Sequence, residues 1–317
     1  MTRHLVVGGC GFLGRHLVQA LARRGEQVTV ADLADFPLPE MAASSFIGDL
    51  TRASADAFDQ MVAEIDVVHH FAWSTIPAVA NADPLQDLVG NLSVTIGLLD
   101  ALKRRGEGRM VFASSGGTVY GLLHQVPVPE THPLEPMTAY GISKMTAEKY
   151  LQLYRNLHGV DARAARISNP YGAGQNPARP QGAVSNFIHR ALNGQQIEIW
   201  GDGTVTRDFV YVNDMVEGVL RLADAAFPEQ RSLPVFNIGS GKGSSLNEIL
   251  TALEQVLGRR LAVDLQQGRA FDVPVSILSI AKAATELDWA PRTGLVDGIT
   301  RMVSDLNEDR KRLFSSR

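Results

Sequence analysis

The 317-residue sequence predicts an α/β protein, a doubly wound parallel sheet with a smaller α/β domain after it. Three observations predict this architecture. Short runs of β-branched residues alternate with longer segments of helical periodicity in the first half of the chain. A glycine-rich turn joins the first of these runs to the first helical segment. After about residue 170 the alternation loosens into shorter elements, which indicates a second, less regular unit.

The predicted elements alternate between strand and helix along the first half of the chain. Strands are predicted at residues 5–8, 27–32, 66–71, 110–114 and 162–167. Helices are predicted at residues 12–24, 56–64, 84–105 and 139–158, with a further helix near 183–192. Because a strand, a helix and a parallel strand form a right-handed crossover, these segments predict one parallel sheet covered by helices on both faces.

Composition and charge exclude several classes of function. The chain has 30 Lys and Arg residues against 34 Asp and Glu residues, a formal net charge of −4, so nothing favours nucleic acid or a membrane surface as a partner. Cys10 is the single cysteine, which excludes an internal disulfide, and we expect no metal site. No apolar run reaches about 18 residues, and residues 1–5 run directly into the first strand. We therefore expect a soluble protein of the cytoplasm.

The glycine turn predicts a dinucleotide site of the Rossmann type. Gly8, Gly11 and Gly14 follow the first strand at three-residue intervals. Such glycines permit positive φ and close approach to a pyrophosphate, and the helix N-terminus offers free N–H groups to the phosphates. Asp32 ends the next strand at the spacing expected of a carboxylate that binds a ribose diol; the alternative is a capping or turn residue. Because no arginine closely follows Asp32 to hold a 2′-phosphate, the sequence favours NAD over NADP.

Tyr140 and Lys144 form a second candidate site. Their four-residue spacing places the phenol and the ammonium on one face of the helix at 139–158. A phenol with a pKa near 10 is a poor base at neutral pH, but a neighbouring positive charge favours the phenolate. The alternative is an ordinary solvated helix face. The preceding strand supports a chemical role, because it ends in Ser114 and Ser115 and ligands of parallel sheets bind beyond the carboxyl ends of strands.

Several further motifs, in this order, resemble one family over nearly the whole chain. They are the glycine turn, Gly48-Asp49-Leu50, His70-Phe71-Ala72, Asn91, the serine strand at 111–121, Tyr140 with Lys144, Asn169-Pro170-Tyr171-Gly172, and Gly201-Asp202-Gly203 followed by Thr206-Arg207-Asp208-Phe209-Val210. The sequence resembles the extended short-chain dehydrogenase/reductase family, and within it the NAD-dependent sugar-nucleotide epimerases and dehydratases of the UDP-glucose (UDP-galactose) 4-epimerase type. The resemblance implies NAD as cofactor and a nucleotide sugar as substrate.

The resemblance also implies roles for individual residues. Tyr140 would be the catalytic acid and base, and Lys144 would hold the nicotinamide ribose. Contacts to NAD are implied for Gly8, Gly11, Phe12, Leu13, Gly14, Asp32, Asp49, Leu50, Phe71, Ala72, Asn91, Tyr140 and Lys144. Contacts to the diphosphate of the substrate are implied for Asn169, Arg207 and Arg269, in agreement with the fork that a guanidinium offers to phosphate oxygens. For Arg207 the alternative is a surface ion pair with Asp208.

One position departs from the family pattern. Relatives carry a catalytic Ser or Thr four residues before the tyrosine of the segment Thr118-Val119-Tyr120-Gly121, and this chain has Gly116 there. Either Ser115 or Thr118 supplies the hydroxyl, or the sugar reaches Tyr140 without one. We predict Ser115.

The same segment bears on the reaction. Dehydratases of the family carry an Asp-Glu pair where this chain has Gly117 and Thr118, and decarboxylases carry Glu at the position of Thr118. Without these carboxylates, the resemblance implies epimerisation at C4 of a UDP-glucose or UDP-galactose type of substrate through a transient 4-keto sugar. Ser276, at a position where relatives have either a bulky or a small residue, leaves room for N-acetylated sugars. A nucleotide-sugar dehydrogenase, reductase or dehydratase and a non-catalytic NAD-binding module remain alternatives.

The organisation of the chain is implied by the same resemblance. Residues 1–168 would form the NAD-binding domain, completed by segments near 208–240, and residues 169–317 would mainly bind the nucleotide sugar. The helices at 84–105 and 139–158 carry apolar faces that pair across a twofold axis in relatives. We therefore predict a homodimer.

Overall fold

A sheet of parallel strands runs through the centre of the molecule. The computed structural model describes residues 1–33, 44–176, 182–227, 232–267 and 273–315. The strands are β1 (Arg3–Val7), β2 (Gln27–Asp32), β3 (Ser44–Ile47), β4 (Val67–His70), β5 (Arg109–Ser115), β6 (Asp161–Ile167), β7 (Asn169–Tyr171), β8 (Ile197–Trp200), β9 (Thr206–Tyr211), β10 (Val235–Ile238), β11 (Gly243–Ser245), β12 (Val263–Gln266) and β13 (Val275–Ser276). The helices are α1 (Phe12–Arg23), α2 (Ala55–Val62), α3 (Pro77–Ala80), α4 (Pro84–Arg105), α5 (Ala139–His158), α6 (Ala183–Leu192), α7 (Val212–Asp224), α8 (Leu246–Leu257), α9 (Ala281–Glu286) and α10 (Leu295–Ser315).

The strand order places a reversal of direction near the middle of this sheet. From one edge to the other the order is β3-β2-β1-β4-β5-β6-β10, and each neighbouring pair is parallel. The chain therefore leaves β1 toward one edge and returns to β4 on the other side of β1. Ligands of such sheets bind beyond the carboxyl ends of the strands beside this reversal. The predicted doubly wound α/β fold is confirmed.

The first strand shows why the sheet is covered on both faces. In β1, Leu5 and Val7 pack into the apolar layer that includes side chains of α2, α4 and α5. Val6, which lies between them, packs into the layer that includes side chains of α1 and α7. Because successive side chains of a strand point to opposite faces, a strand between two helical layers is apolar at every position. This explains the unbroken apolar run after His4.

The second half of the chain contributes to both parts of the molecule. Strand β10 extends the central sheet beside β6, and α7 packs on that sheet, so part of the segment 208–240 lies with the larger unit. Strand β9 pairs with β7 and β13 in parallel and with β11 in antiparallel orientation, while β8 pairs with β12. Helices α6, α8 and α10 share a further apolar cluster. The division of the chain at residue 168 stays a prediction.

The two long helices begin and end where the sequence predicted, at residues 84–105 and 139–158. Helix α4 starts at Pro84, is capped by the Asp83 carboxylate and ends before Gly106 at φ +77°. Helix α5 is capped by the Thr138 hydroxyl and ends before Gly159 at φ +69°. Capping side chains and left-handed glycines are the signals that fix helix ends. Among the helices of the described residues, none has the length and apolar character that crossing a bilayer demands.

Candidate active site

The glycine turn after β1 is closed against the loop that follows β4. Gly8 has φ +87°, and an ideal Cβ at this position would lie 2.6 Å from the main-chain nitrogen of Ala72. Phe71 and Ala72 both donate from their main-chain N–H groups to Val7 O at 2.8 Å. A Cβ at Gly14 would meet the carbonyl of Gly8. The predicted residues Gly8, Gly14, Phe71 and Ala72 therefore form one surface made mostly of backbone.

Helix α1 begins directly above this surface. Its N-cap residue is Gly11, and no side chain caps the helix, so the first-turn N–H groups at Phe12 and Leu13 have no side-chain acceptor from the cap. At the end of β2, the Asp32 carboxylate accepts from the main-chain N–H of Cys10 at 2.8 Å, which holds the acid beside the turn. Uncapped amides, a positive helix end and a neighbouring carboxylate are the donor and acceptor set that a dinucleotide requires. These residues fit NAD.

The remaining predicted contacts to the cofactor lie around this crevice. The main-chain N–H of Gly48 donates to Asp32 O at 2.9 Å, so Asp49 and Leu50 follow immediately beside the end of β2. The Asp49 carboxylate caps the short helix at 50–52 by accepting from the Thr51 N–H at 3.0 Å. On the other side, buried Asn91 accepts from the main-chain N–H of Ser74 at 2.8 Å and thereby ties the loop after β4 to α4.

The structure brings Tyr140 and Lys144 to the end of β5. Lys144 is buried, and its Nζ donates to the carbonyl of Ala113 in β5 at 2.7 Å. The same Nζ lies 3.7 Å from the centroid of the Trp73 ring and 5.7 Å from that of Tyr140. The rings of Trp73 and Tyr140 meet edge to face at 6.2 Å. One turn of α5 therefore presents a phenol and an ammonium to the carboxyl end of the sheet, as the sequence predicted.

Burial opposes ionisation of both groups. It raises the pKa of Tyr140, and the nearby Asp87 carboxylate raises it further. Burial lowers the pKa of Lys144, while the carboxylates of Asp87 and Glu148 act in the opposite direction. Without an added positive charge, the phenol at this site is therefore a proton donor at neutral pH.

The packing of Leu278 explains why position 116 is a glycine and not the serine or threonine implied by the family pattern. A Cβ at Gly116 would lie 2.5 Å from Leu278 Cδ1, so the space for the usual hydroxyl is already filled. Ser115 ends β5 and is partly exposed. Thr118 packs against the start of α5, since a Cβ at Gly141 would lie 2.7 Å from Thr118 O. The Thr118 hydroxyl is buried and has no hydrogen-bond partner among the described residues.

A cavity of about 250 Å³ lies in the smaller unit, among residues of β7, β8, β9, α6 and α8. Asn169, Trp200, Arg207 and Phe209 are among the residues that line it. Asn169 Nδ2 donates to Asp208 O at 3.0 Å, and Arg207 Nη1 donates to Val273 O at 2.6 Å. These contacts hold the two residues that are predicted to bind the diphosphate, Asn169 and Arg207, at the wall of the cavity.

Of the other two predicted substrate residues, one lies beside Arg207 and the other lies outside the described part of the chain. Ser276 is buried in β13, where it stands opposite Arg207 in the parallel ladder with β9. Arg269 lies outside the described residues. The acid at position 208, which the sequence offered as an ion-pair partner for Arg207, instead accepts from the N–H groups of Ser240, Gly241 and Leu278.

Sequence reasoning missed Asp87 and Ser143. Both are buried, and their side chains hydrogen-bond to each other. The signal in the sequence is the spacing of Asp87 and Asn91, four residues apart on one face of α4. Trp73 follows a buried strand, but no pattern in the sequence connects it with Lys144, which it covers.

A phenol at the ligand-binding end of a parallel sheet, beside a crevice that accepts a dinucleotide, defines an oxidoreductase-type site. The chain belongs to the NAD dependent epimerase/dehydratase family, whose family model matches residues 4–239. It is a member of the sugar-nucleotide epimerase group of extended short-chain dehydrogenases/reductases, as the sequence predicted.

Individual relatives are similar over almost their whole length. The chain is 34% identical over 306 residues to a putative UDP-glucose 4-epimerase of Methanocaldococcus jannaschii, covering 95% of this chain and 97% of that protein. A UDP-glucose 4-epimerase of Thermotoga maritima, solved with UDP-glucose, matches with a TM-score of 0.91 at 30% identity, covering 98% of this chain and 100% of that one. The UDP-glucose 4-epimerase of Thermus thermophilus, solved with NAD, matches with a TM-score of 0.87 at 31% identity, covering 96% and 99%. The protein is therefore an NAD-dependent enzyme of the nucleotide-sugar epimerase/dehydratase class, and the predicted cofactor is confirmed.

Proposed function

We propose that this enzyme interconverts the C4 epimers of a UDP-hexose of the glucose and galactose type through a transient 4-keto sugar. The observation that carries the proposal is the position of Tyr140 and Lys144, which share one turn of α5 at the end of β5. The relatives named as UDP-glucose 4-epimerases, which align over nearly the full chain, support the same reaction.

Tyr140 is the acid and base of the proposed reaction. Its phenolate oxygen takes the proton of the 4-hydroxyl group as hydride leaves C4, and the resulting phenol returns that proton when the keto group is reduced. Bound NAD supplies the acceptor and the donor for the hydride at C4. Lys144, whose Nζ donates to the carbonyl of Ala113, would hold the nicotinamide ribose and would place a positive charge beside the phenol. That charge lowers the cost of the phenolate, which burial and Asp87 otherwise oppose.

Thr118, the second of the two candidate hydroxyls, has one feature that supports a role in the proposed reaction. Its Oγ1 is buried without a partner among the described residues, and its backbone touches the turn that carries Tyr140. A buried hydroxyl without a partner is costly unless a ligand satisfies it. We therefore propose Thr118 as the group that hydrogen-bonds the sugar hydroxyl, with Ser115 as the alternative.

Within the described part of the chain, the rim of this site carries no carboxylate that fits elimination or decarboxylation. Gly117 and Thr118 occupy the positions at which the family resemblance implies acids for those reactions, and the side of Gly117 is open, with Asn169 Oδ1 at 3.9 Å from an ideal Cβ. The acids nearby are committed elsewhere: Asp87 accepts from Ser143, and Glu148 forms a buried ion pair with Arg166 at 2.7 Å. Return of the hydride to the same carbon is the chemistry that these residues support.

The substrate site is proposed to lie in the cavity of the smaller unit. Asn169 and Arg207 face a volume suited to a nucleotide diphosphate, and the aromatic side chains of Trp200 and Phe209 offer surfaces for a planar base. We propose uracil as the base because the two UDP-glucose 4-epimerases of Methanocaldococcus jannaschii and Thermotoga maritima act on a UDP-sugar. Ser276, a small residue next to Arg207, leaves space for a 2-acetamido group.

Turnover of defined sugars tests this proposal. The purified protein with NAD is incubated with UDP-glucose, UDP-galactose and their N-acetylated forms, and products are resolved while reduced nicotinamide absorbance is followed. We expect the C4 epimer to form without net accumulation of reduced cofactor. Stoichiometric reduced nicotinamide would identify a dehydrogenase, a product that has lost water or carbon dioxide would identify the other branches, and no product from any sugar would support an NAD-binding module.

We also propose that the enzyme is a homodimer through α4 and α5. Leu85, Val89, Ile142 and Leu157 on these neighbouring helices are exposed, with relative exposures of 71%, 56%, 46% and 66%. Exposed apolar side chains spread along two neighbouring helices favour association with a second copy. Light scattering of the purified protein should give twice the mass of the chain, and Leu157→Glu should give a monomer. Leu265→Glu, at an exposed leucine of β12, should remain a dimer.

A further inference from the structure

A buried carboxylate links the catalytic turn of α5 to the cofactor loop. Asp87 lies in the first turn of α4 with a relative exposure of 0%. Its carboxylate accepts from Thr75 Oγ1 in the loop after β4, from Ser143 Oγ in α5, and from Asn91 Nδ2 in α4 at 3.1 Å. Donors from three separate segments therefore converge on one negative charge.

We propose that Asp87 is a positioning residue for Tyr140 and Lys144. Its hydrogen bond to Ser143 fixes the turn of α5 that carries both groups. Its negative charge favours the protonated form of each group. The kinetic part of this inference rests on the proposed function, whereas the ionisation of Tyr140 can be measured without any sugar.

The positioning part follows from the spacing on α5. Ser143 comes three residues after Tyr140 and directly before Lys144, so an anchor on Ser143 restrains the phenol and the ammonium together. The same carboxylate holds Thr75, whose loop contains Trp73 over the Lys144 ammonium. Transferring a charge from water into the protein interior costs free energy unless several hydrogen-bond donors satisfy it. The three donors explain how Asp87 is tolerated there.

The electrostatic part follows from the charged groups around the pair. Tyr140 faces Asp87 from α4 and Lys144 from its own helix. Lys144 faces Asp87 from α4, Glu148 from α5 and His70 from β4, with the rings of Trp73 and Phe112 beside it. The Asp87 charge disfavours the phenolate and favours the ammonium. It therefore favours the protonated form of both groups.

Asp87→Asn tests the charge, because the amide has the same shape. The ionisation of Tyr140 in the NAD-loaded protein is followed as the phenolate absorbance that Tyr140→Phe removes. We expect Asp87→Asn to shift this titration to lower pH by at least about half a unit, and the acid limb of the kcat profile with UDP-galactose to move with it. The matched control is Asp83→Asn, which removes the same charge from an exposed position of the same helix start and keeps a good N-cap.

The outcomes separate the two proposals. An Asp87→Asn titration that superimposes on that of Asp83→Asn, or shifts to higher pH, overturns the electrostatic inference. Absence of turnover with every UDP-hexose would remove the proposed function and leave the titration result standing.

Ser143→Ala tests the positioning part separately and leaves the charge in place. We expect kcat to fall roughly tenfold with KM and the pH profile unchanged, because the catalytic turn loses its anchor but not its electrostatics. If kcat is unchanged in this variant, the positioning role of Asp87 is wrong. This second variant keeps the inference open to refutation if Asp87→Asn does not fold.

Discussion

Leu278 packs so closely against Gly116 that a side chain at position 116 would collide with it: an ideal Cβ on the glycine would lie 2.5 Å from Cδ1 of the leucine. The leucine is 1% exposed and packs with Val119, Tyr120 and Val128. It is brought there because the main-chain N–H of Val128 donates to Ile277 O at 2.8 Å. The space beside Gly116, where the family resemblance implies a catalytic hydroxyl, is therefore occupied by a leucine of this apolar cluster.

Gly116→Ser is therefore expected to destabilise the protein instead of improving it. Overpacking against Leu278 should lower the free energy of unfolding by about 1–3 kcal/mol. Combining it with Leu278→Ala should cost less than the two single changes added together, since the serine then fills part of the space that is released. Gly117→Ser, next to open space, is the control and should change stability by less than about 0.5 kcal/mol. Urea unfolding of the four variants measures this, and strict additivity would contradict the steric explanation.

Tyr140→Phe should abolish turnover while the fold and NAD binding remain. Loss of a general acid and base costs about 10²–10⁴-fold in kcat. The ring still meets Trp73 edge to face, so the melting temperature should stay close to that of the parent protein. Tyr150→Phe, on the same helix, is the matched control and should retain full activity. Turnover by Tyr140→Phe within a factor of a few of the parent enzyme would end the assignment of Tyr140.

Asp32→Asn should relax the choice between NAD and NADP. The amide oxygen can still accept from the Cys10 N–H, but the charge that repels a 2′-phosphate is removed. We expect the ratio of Kd for NADP to Kd for NAD to fall at least about tenfold, a change of about 1.4 kcal/mol. Asp56→Asn removes a charge from an exposed position of α2 and should leave the ratio alone. Equal ratios in the two variants would show that Asp32 has no part in the selection.

Buried His70 makes the fold sensitive to acid. Thr95 donates its hydroxyl proton to Asn91 O and so accepts from His70 Nε2 at 3.0 Å, which leaves His70 Nδ1 without a partner among the described residues. Burial, with a smaller contribution from the Lys144 charge, lowers the pKa of His70 from 6.5 to about 3. A proton on Nδ1 would add a buried charge with no acceptor.

The sign of the pH effect follows from these two values. Because the folded pKa lies below the unfolded one, the unfolded chain binds more protons between them, and stability present above pH 6.5 is lost as the pH falls toward 3. At about pH 5 this residue costs about 2 kcal/mol relative to neutral pH. Urea unfolding at the two pH values should show the loss, and His70→Gln should reduce it by that amount. An equal loss in His70→Gln would assign the effect to other groups, such as buried His69.

Ser276→Tyr tests the size of the sugar site. Ser276 is buried beside Arg207, so a phenol there would occupy space proposed for the acetamido group. We expect kcat/KM for UDP-N-acetylglucosamine to fall at least about tenfold, while that for UDP-galactose is kept or raised. Val275→Tyr, at the exposed neighbouring position, should change neither. If both sugars keep their kcat/KM in Ser276→Tyr, this residue does not limit the sugar.

Local signals explain what the sequence predicted well. The ends of α4 and α5 follow from capping side chains and from glycines that lie next to the helix in the chain. The glycine turn and the pair Tyr140 and Lys144 are likewise short-range patterns. These features need no knowledge of distant contacts.

The parts that could not be predicted depend on distant segments. Leu278 fills the space above Gly116 only because a strand bridge brings position 278 beside position 128. Asp87 resembles an ordinary acidic residue in the first turn of a helix, and only the folded chain shows that it meets Ser143 instead of water. Strand β10 reaches the sheet edge after a long excursion through the smaller unit, so sequence order does not reveal its neighbour.

The backbone contact between Gly8 and Ala72 means that the cofactor crevice and the sugar site tolerate substitutions differently. Where main chain packs against main chain, the floor of the crevice predicted to hold the pyrophosphate does not depend on the identity of nearby side chains. The neighbouring positions Thr118 and Ser276 instead present side chains, which single substitutions can exchange. A scaffold divided in this way can acquire a new sugar reaction without rebuilding the seat of its redox cofactor.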